Sequence, residues 1–214
     1  MPYDDGGEVL VEGRRVTGPN PKLIAYMFQD PVLYPWRTVL KNVEFGLEAQ
    51  GIAPDERKRR AFKYLRMVGL EDFADYYPRQ LSGGMGPRVA LCRSLALETD
   101  IILMDEPFGA LDEQSRIILG DELVTLWRQL GRTIVFVTHS LTEAVYLGER
   151  IAIFTARPGR IKTEITNELP RPRTIGAPGF SQMVDRLWGH LKEESLIAIK
   201  REKGGPALAA LPKE

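Results

Sequence analysis

The chain has 214 residues, 29 Lys plus Arg balanced by 29 Asp plus Glu and 43% apolar residues: enough for a domain-sized core, with no net charge to draw it to nucleic acid. Its single cysteine excludes an intrachain disulfide framework and suits a reducing compartment. No run reaches the roughly 18 apolar residues of a membrane span, and the opening Met-Pro-Tyr-Asp-Asp has no signal-peptide pattern, so a cytoplasmic protein is expected.

In chain order, Glu8 to Val11 reads as a strand closed by Gly13, and Leu23 to Phe28 as a second one beyond a Pro- and Gly-rich loop, 17–21. Gln29-Asp30-Pro31 breaks the pattern, and taken alone Gln29 is a turn residue. Pro35-Trp36-Arg37-Thr38 leads into a helix over 39–50, and Tyr34 and Trp36 suit either partial core or an interface anchor. Pro54 opens a charged helix to about Val68. Its Arg57 to Arg60 cluster, with Ala61, Tyr64 and Leu65 behind it, reads as a solvated face. A short helix over 71–76 precedes Pro78.

The stretch from Gln80 to Asp112 organises the rest. Ser82, Gly83 and Gly84 stand where a helix carrying Val89, Leu91, Leu95 and Ala96 begins, so unpaired N–H groups and the positive dipole end point outward. Such an end binds phosphate, and glycines let the backbone approach closely; alone, Ser-Gly-Gly also serves as a simple N-cap in a glycine turn. Cys92 lies inside this helix as a small core residue. Ile101 to Met104 is apolar without alternation, which predicts a strand of a parallel sheet buried on both faces. Asp105 and Glu106 end it, where doubly wound sheets bind ligands, and they point opposite ways, so one can face a metal and the other a water. As a tripeptide, Asp105-Glu106-Pro107 serves equally as an acidic turn.

After Asp112 an amphipathic helix shows Ile117, Ile118, Leu123, Leu126, Trp127 and Leu130 at helical spacing and stops at Gly131. Thr133 to Val137 reads as another buried strand, followed by His139 and a capping box, Ser140-Leu-Thr-Glu143. Strands over 150–154 and 160–165 flank Ala156-Arg-Pro-Gly159, and a helix over 180–199 contains His190, to which no role is given. The Pro-containing tail 204–214 is expected to be disordered.

Leu81-Ser-Gly-Gly-Met85, Ile101 to Glu106 and Gly109-Ala-Leu-Asp112 resemble, in order and spacing, the signature motif, Walker B strand and D-loop of the ATP-binding-cassette (ABC) ATPases that power membrane transporters. Tyr34-Pro-Trp-Arg37, the Ala156 to Gly159 turn and Leu169-Pro-Arg-Pro-Arg173 are similar to the nitrate, sulfonate and taurine importer branch. The resemblance implies an α/β, P-loop NTPase-like fold with a parallel core sheet and an inserted helical subdomain. Residues 1–35 would be core strands and Q-loop, 36–98 the helical subdomain, 99–168 the core sheet with Walker B, D-loop and H-loop, and 169–203 a helical extension. It also implies ATP and Mg2+ as cofactors. Asp105 and Gln29 would serve the metal, Glu106 the attacking water, and His139 and Gln29 the terminal phosphate. Ser82, Gly83, Gly84 and Met85 would bind a partner's nucleotide, and Asp112 would link the two sites. Partners would be a second cassette (a copy of this chain or another ABC ATPase), a transmembrane permease touched by the segment after Gln29 and, indirectly, a periplasmic or lipoprotein solute-binding protein. The chain would sit peripherally on the inner face of the cell membrane.

Two departures shape the expectation. A P-loop needs Gly-Lys-Ser/Thr, and nowhere in the chain is Gly followed by Lys. The resemblance begins at about Gly7, as if N-terminally truncated. Losing several charge-assisted hydrogen bonds predicts nucleotide binding weakened on the order of a thousandfold or more. A strand missing beside Walker B predicts uncovered edges and a chain that is aggregation-prone and inactive alone. The second departure is Gly86-Pro87 before Arg88, where the family commonly has Arg or Lys followed by Gln. Two readings follow: an importer motor subunit, or a degenerate cassette that lends its signature face to a complete ATPase. Balanced charge disfavours a soluble cassette acting on DNA or ribosomes.

Overall fold

The computed structural model describes residues 7–30, 32–109, 111–156 and 158–202, with side chains as far as 197; the tail 204–214 lies outside the described residues. The chain divides into two compact units between Val137 and Thr138.

In the first unit Glu12 and Gly13 both take positive φ, 50° and 73°, and fold the chain back so that β1 (Leu10–Val11) pairs with β2 (Arg14–Arg15), a strand the sequence did not signal. β3 (Ile24–Met27), β4 (Ile101–Asp105) and β5 (Thr133–Val137) then form a parallel sheet in the order β3-β4-β5, with Tyr26, Leu103 and Val135 in one row. This order corrects the expected gap beside Walker B, because β4 is paired on both sides. The open edges among the described residues belong to β3 and β5. Burial on both faces is also corrected. Ala25, Met27, Ile102 and Met104 are buried, whereas on the opposite face Tyr26, Val135 and Val137 are 44%, 48% and 51% exposed. An apolar run shows that a strand can be covered on both sides, and here the described chain covers one.

Three helices separate β3 from β4. α1 (Val39–Ala49) starts on Thr38, whose side chain accepts from the Lys41 N–H, and α2 (Pro54–Met67) has its proline in the first turn, followed by Asp55 and Glu56. α3 (Met85–Leu95) begins just after Ser82 and Gly83, which precede it as a turn. The three bury Val43, Leu47, Tyr64, Leu65, Leu91 and Cys92 against one another. The Cys92 Sγ lies 3.3 Å from the Tyr64 carbonyl, and burial pushes the thiol pKa up, as befits an inert core cysteine. Gly46 allows the close approach of α1 to the end of α3: a Cβ there would stand 2.6 Å from Leu97 Cδ2. Residues 71–76 form only a 3₁₀ turn, Glu71–Phe73, in place of the expected helix. The Arg57 to Arg60 cluster is solvated only in part, since Arg60 pairs with Glu56 at 2.6 Å and with Glu98 at 3.4 Å.

α4 (Glu113–Leu130) leads from β4 to β5 and ends at Gly131 in the left-handed region, φ 61°. It buries Leu119, Leu123 and Leu126, while Ile117 and Ile118 are exposed, so the apolar stripe is narrower than its sequence.

In the second unit α5 (Leu141–Leu147), the antiparallel hairpin of β6 (Arg150–Phe154) and β7 (Ile161–Thr166), and α6 (Pro178–Glu202) enclose Val145, Ile151, Ile153, Ile165, Phe180 and Leu187. Among the described residues no helix is long and apolar enough to cross a membrane.

Candidate functional site

Because β3 and β4 are parallel, their C-terminal ends open at the same edge, and this brings residues 77 to 79 positions apart into contact. Tyr26 on β3 donates its hydroxyl to Asp105 Oδ2 at 3.2 Å; the little burial it has, then Asp105, raise the phenol pKa above its ordinary value. Gln29 Nε2 donates to Glu106 Oε2 at 3.1 Å. The two acids therefore take different partners, Asp105 as the last residue of β4 and Glu106 from the turn that follows it. Glu106 sits at φ 42°, a left-handed conformation that costs a residue with a Cβ about 1–2 kcal/mol. Its N–H donates to the Val137 carbonyl at 2.9 Å and its own carbonyl accepts from the Gly109 N–H at 3.0 Å, which fixes that turn.

No group of three or more His, Cys, Asp or Glu able to hold a metal occurs among the described residues. Two carboxylates with a neighbouring amide nevertheless suit Mg2+, which keeps several waters and completes its shell with substrate phosphate rather than a protein cage.

A second cluster surrounds a cavity of about 560 Å³ lined by Ser82, Gly83, Gly84, Met85, Arg88, Leu111, Asp112 and Ser115. The first turn of α3 enters it from one side and the first turn of α4 from the other. Asp112 caps α4: Oδ1 accepts from the Ser115 N–H at 2.9 Å and Oδ2 from its hydroxyl at 2.7 Å, and these bonds hold the carboxyl below the usual aspartate range. A Cβ on Gly84 would lie 3.4 Å from Ser115 Oγ, while Gly83 faces open space. The N-terminus of α3, its two glycines and the Arg88 cation compose a surface able to take an anion, while the N-terminus of α4 is already met by the Asp112 carboxylate. Pro87 is the third residue of α3, where no intrahelical partner for an N–H is lost, so the Gly86-Pro87 departure leaves the helix start intact.

The segment after Gln29 is pinned by buried Asn42. Its Oδ1 accepts from the Tyr34 N–H at 2.7 Å, and its Nδ2 donates to the Tyr34, Arg37 and Thr38 carbonyls at 3.2, 3.0 and 2.9 Å. Arg93 of α3 donates to the Val32 carbonyl at 2.8 Å. The Tyr34 ring packs at a tilt against those of Phe45 and Trp36, and Trp36 is 71% exposed, which favours the anchor reading for the tryptophan and partial core for the tyrosine.

In the second unit, His139 stands between Thr138 and Ser140. The expected capping box is half formed. Ser140 Oγ accepts from the Glu143 N–H at 3.3 Å, but Glu143 accepts from the Thr138 hydroxyl instead of reaching back to Ser140, whose N–H is taken by Thr138 Oγ1 at 2.9 Å.

Three residues in these clusters escaped the sequence reading. Ser115 was legible, because Asp112-Glu-Gln-Ser115 has N-cap spacing. Tyr26 and Thr138 carry no local signal.

A family model described as ABC transporter matches residues 1–109. The chain belongs to the ABC transporter family. It is 49% identical to an uncharacterized ABC transporter ATP-binding protein of Methanocaldococcus jannaschii over 94% of this chain and 74% of that one. It is also 47% identical to the nitrate import ATP-binding protein NrtD of Synechocystis sp., over 77% and 61% of the two chains. With the aliphatic sulfonates import ATP-binding protein SsuB of Bacillus cereus it shares 38% identity, over 91% and 76%. Among solved structures, the dimeric, ADP- and Pi-bound post-hydrolysis state of the ATP-binding cassette MJ0796 superimposes with a TM-score of 0.67 at 33% identity, covering 78% of this chain and 75% of that one. The cassette fold inferred from the signature, Walker B and D-loop motifs is therefore the fold of this chain.

Proposed function

We propose that this cassette is the ATP-binding and ATP-hydrolysing motor subunit of an importer for a small oxyanion of the nitrate or sulfonate kind. It works as a peripheral protein at the inner face of the membrane, paired with a second cassette, and a solute-binding protein meets the complex through its permease. The observation that carries this reading is the strand-end group, Asp105 with Tyr26 and Glu106 with Gln29, in a chain whose relatives are named for nitrate and sulfonate import. Asp105 would hold Mg2+, and Glu106 would orient and polarise the attacking water. Gln29 and His139 contact the terminal phosphate. Mg2+ supplies charge neutralisation at the phosphates. Ser82, Gly83, Gly84 and Met85 close on nucleotide held by the opposing cassette, and Asp112, as the cap of α4, ties that closure to the strand-end group. Trp36 and the Asn42-pinned segment pass the movement to the permease.

In the assembled importer, Glu106→Gln is expected to lower ATP hydrolysis by about a hundredfold or more while ATP binding persists; undiminished hydrolysis refutes the role given to Glu106. A second reading, a non-catalytic cassette lending its signature face to a partner ATPase, rests on the signature cavity. It predicts hydrolysis indifferent to Glu106→Gln but abolished by Ser82→Arg.

A further inference from the structure

Leu169-Pro-Arg-Pro-Arg173 stands apart from the motifs assigned to nucleotide, yet its side chains converge on one short element of the second unit. α5 has seven residues, far too few to persist alone, and the turn carrying His139 is its lead-in. Its last carbonyls lack intrahelical partners, and the segment 167–173 collects them. Arg173 is 8% exposed, and its Nη1 lies 3.0 Å from the Val145 carbonyl, 3.1 Å from that of Tyr146 and 2.8 Å from that of Gly148. Its Nε donates to the Leu169 carbonyl at 3.3 Å and its Nη2 to that of Asn167 at 3.4 Å, so the guanidinium also ties the segment to itself. Asn167 Nδ2 donates to the Val145 and Gly148 carbonyls at 2.8 and 3.0 Å. Arg171 donates to the Leu147 carbonyl at 2.5 Å and to that of Tyr146 at 3.4 Å. Every carbonyl from Val145 to Gly148 is thus met by this segment, with cations at the negative end of the helix. Burial, with Arg171 nearby, draws the Arg173 pKa down to about 10, so the guanidinium stays charged at neutral pH.

The other end of α5 is closed as firmly. Thr138 Oγ1 donates to Glu143 Oε2 at 2.5 Å and accepts from the Ser140 N–H at 2.9 Å, encircling His139. A seven-residue helix is about 10 Å long, so a shift at its capped end carries to the histidine turn.

We propose that the 167–173 segment is a brace that seats α5 and, through it, His139, with Arg173 as a positioning residue for that histidine. Its consequence for transport rests on the reading of His139 as a phosphate contact; the brace itself does not.

The test uses the whole chain labelled with 15N-histidine, whose only other histidine, His190, serves as a control. In Arg173→Met, amides of Leu141 to Leu147 should exchange about tenfold faster or more, and the His139 ring resonances should shift or broaden. Those of His190 and the β6 and β7 amides should hold, and Arg173→Lys should recover part of the effect. Should Arg173→Met fail to fold, Arg171→Gln must give a smaller change in the same direction. Unaltered α5 exchange and His139 signals in a folded variant overturn the proposal. So does a uniform loss of protection across β6, β7 and α6, which would mark general core support. Adding ATP to the assembled wild-type importer tests the other premise separately: a His139 ring that does not respond removes its phosphate role and leaves the brace standing.

Discussion

Glu106 holds its place against its own backbone preference. At φ 42° a Cβ costs about 1–2 kcal/mol, and glycine avoids that penalty at the expense of about 0.4–1 kcal/mol of extra unfolded-chain freedom. Glu106→Gly is therefore expected to be more stable than Glu106→Ala by about 0.5–1 kcal/mol in urea unfolding, and equal or reversed values would show that the turn is not strained. The acid types at 105 and 106 were legible because strand-end position and residue chemistry are both local properties, whereas Gln29, by itself a turn residue, was reached only through the family resemblance. The positive φ was not, since it goes with two backbone hydrogen bonds, from the Glu106 N–H to the Val137 carbonyl and from the Gly109 N–H to the Glu106 carbonyl. Tyr26 was missed for a related reason: its hydrogen bond to Asp105 spans 79 positions and depends on the strand order.

At the scale of elements, α2 is fastened to the turn between α3 and β4 by Glu98, itself at φ 53°. Its carboxylate meets Lys63 Nζ and the Tyr64 hydroxyl, both at 3.1 Å, and Arg60 at 3.4 Å. Partial burial opposes ionisation, but these donors outweigh it and hold the carboxyl below the ordinary glutamate range. A depressed folded-state pKa means the unfolded chain binds more protons through the window. The contribution is then complete above the unfolded value of about 4.3 and fades as pH falls through the folded value. The Tm gap between the wild type and Glu98→Gln should accordingly narrow below about pH 4, and a gap independent of pH would exclude the ionised latch. Helix starts at Thr38, Pro54 and Asp112 and the stop at Gly131 were readable because caps are written in neighbouring residues. Neither the 3₁₀ turn at Glu71–Phe73 nor the diverted carboxylate of Glu143 could be read that way, because tertiary partners decide both.

The whole molecule presents a parallel sheet with one face filled and one apolar. Phe28 is 62% exposed, Tyr26, Val135 and Val137 are about half exposed, and among the described residues β5 has an open edge. Such a surface invites strand pairing and association. The chain by itself should form concentration-dependent oligomers in sedimentation, and Val135→Thr with Val137→Thr should reduce them without changing the circular dichroism spectrum. Oligomers insensitive to these changes would place the sticky surface elsewhere. The family, the parallel sheet and the helical insertion were all legible from three motifs in order. The strand order was not, because a parallel strand's neighbour is chosen by the crossover that carries it, and β5 returns to the side of β4 away from β3.

Nucleotide-driven pairing offers the most direct measurement of whether the signature cavity and the strand-end acids serve one ATP engine shared between two cassettes. Light scattering of this chain mixed with a second, hydrolysis-deficient cassette should show a heterodimer when ATP and Mg2+ are added, and none when this chain carries Ser82→Arg. Association indifferent to ATP, or undiminished by Ser82→Arg, would contradict it.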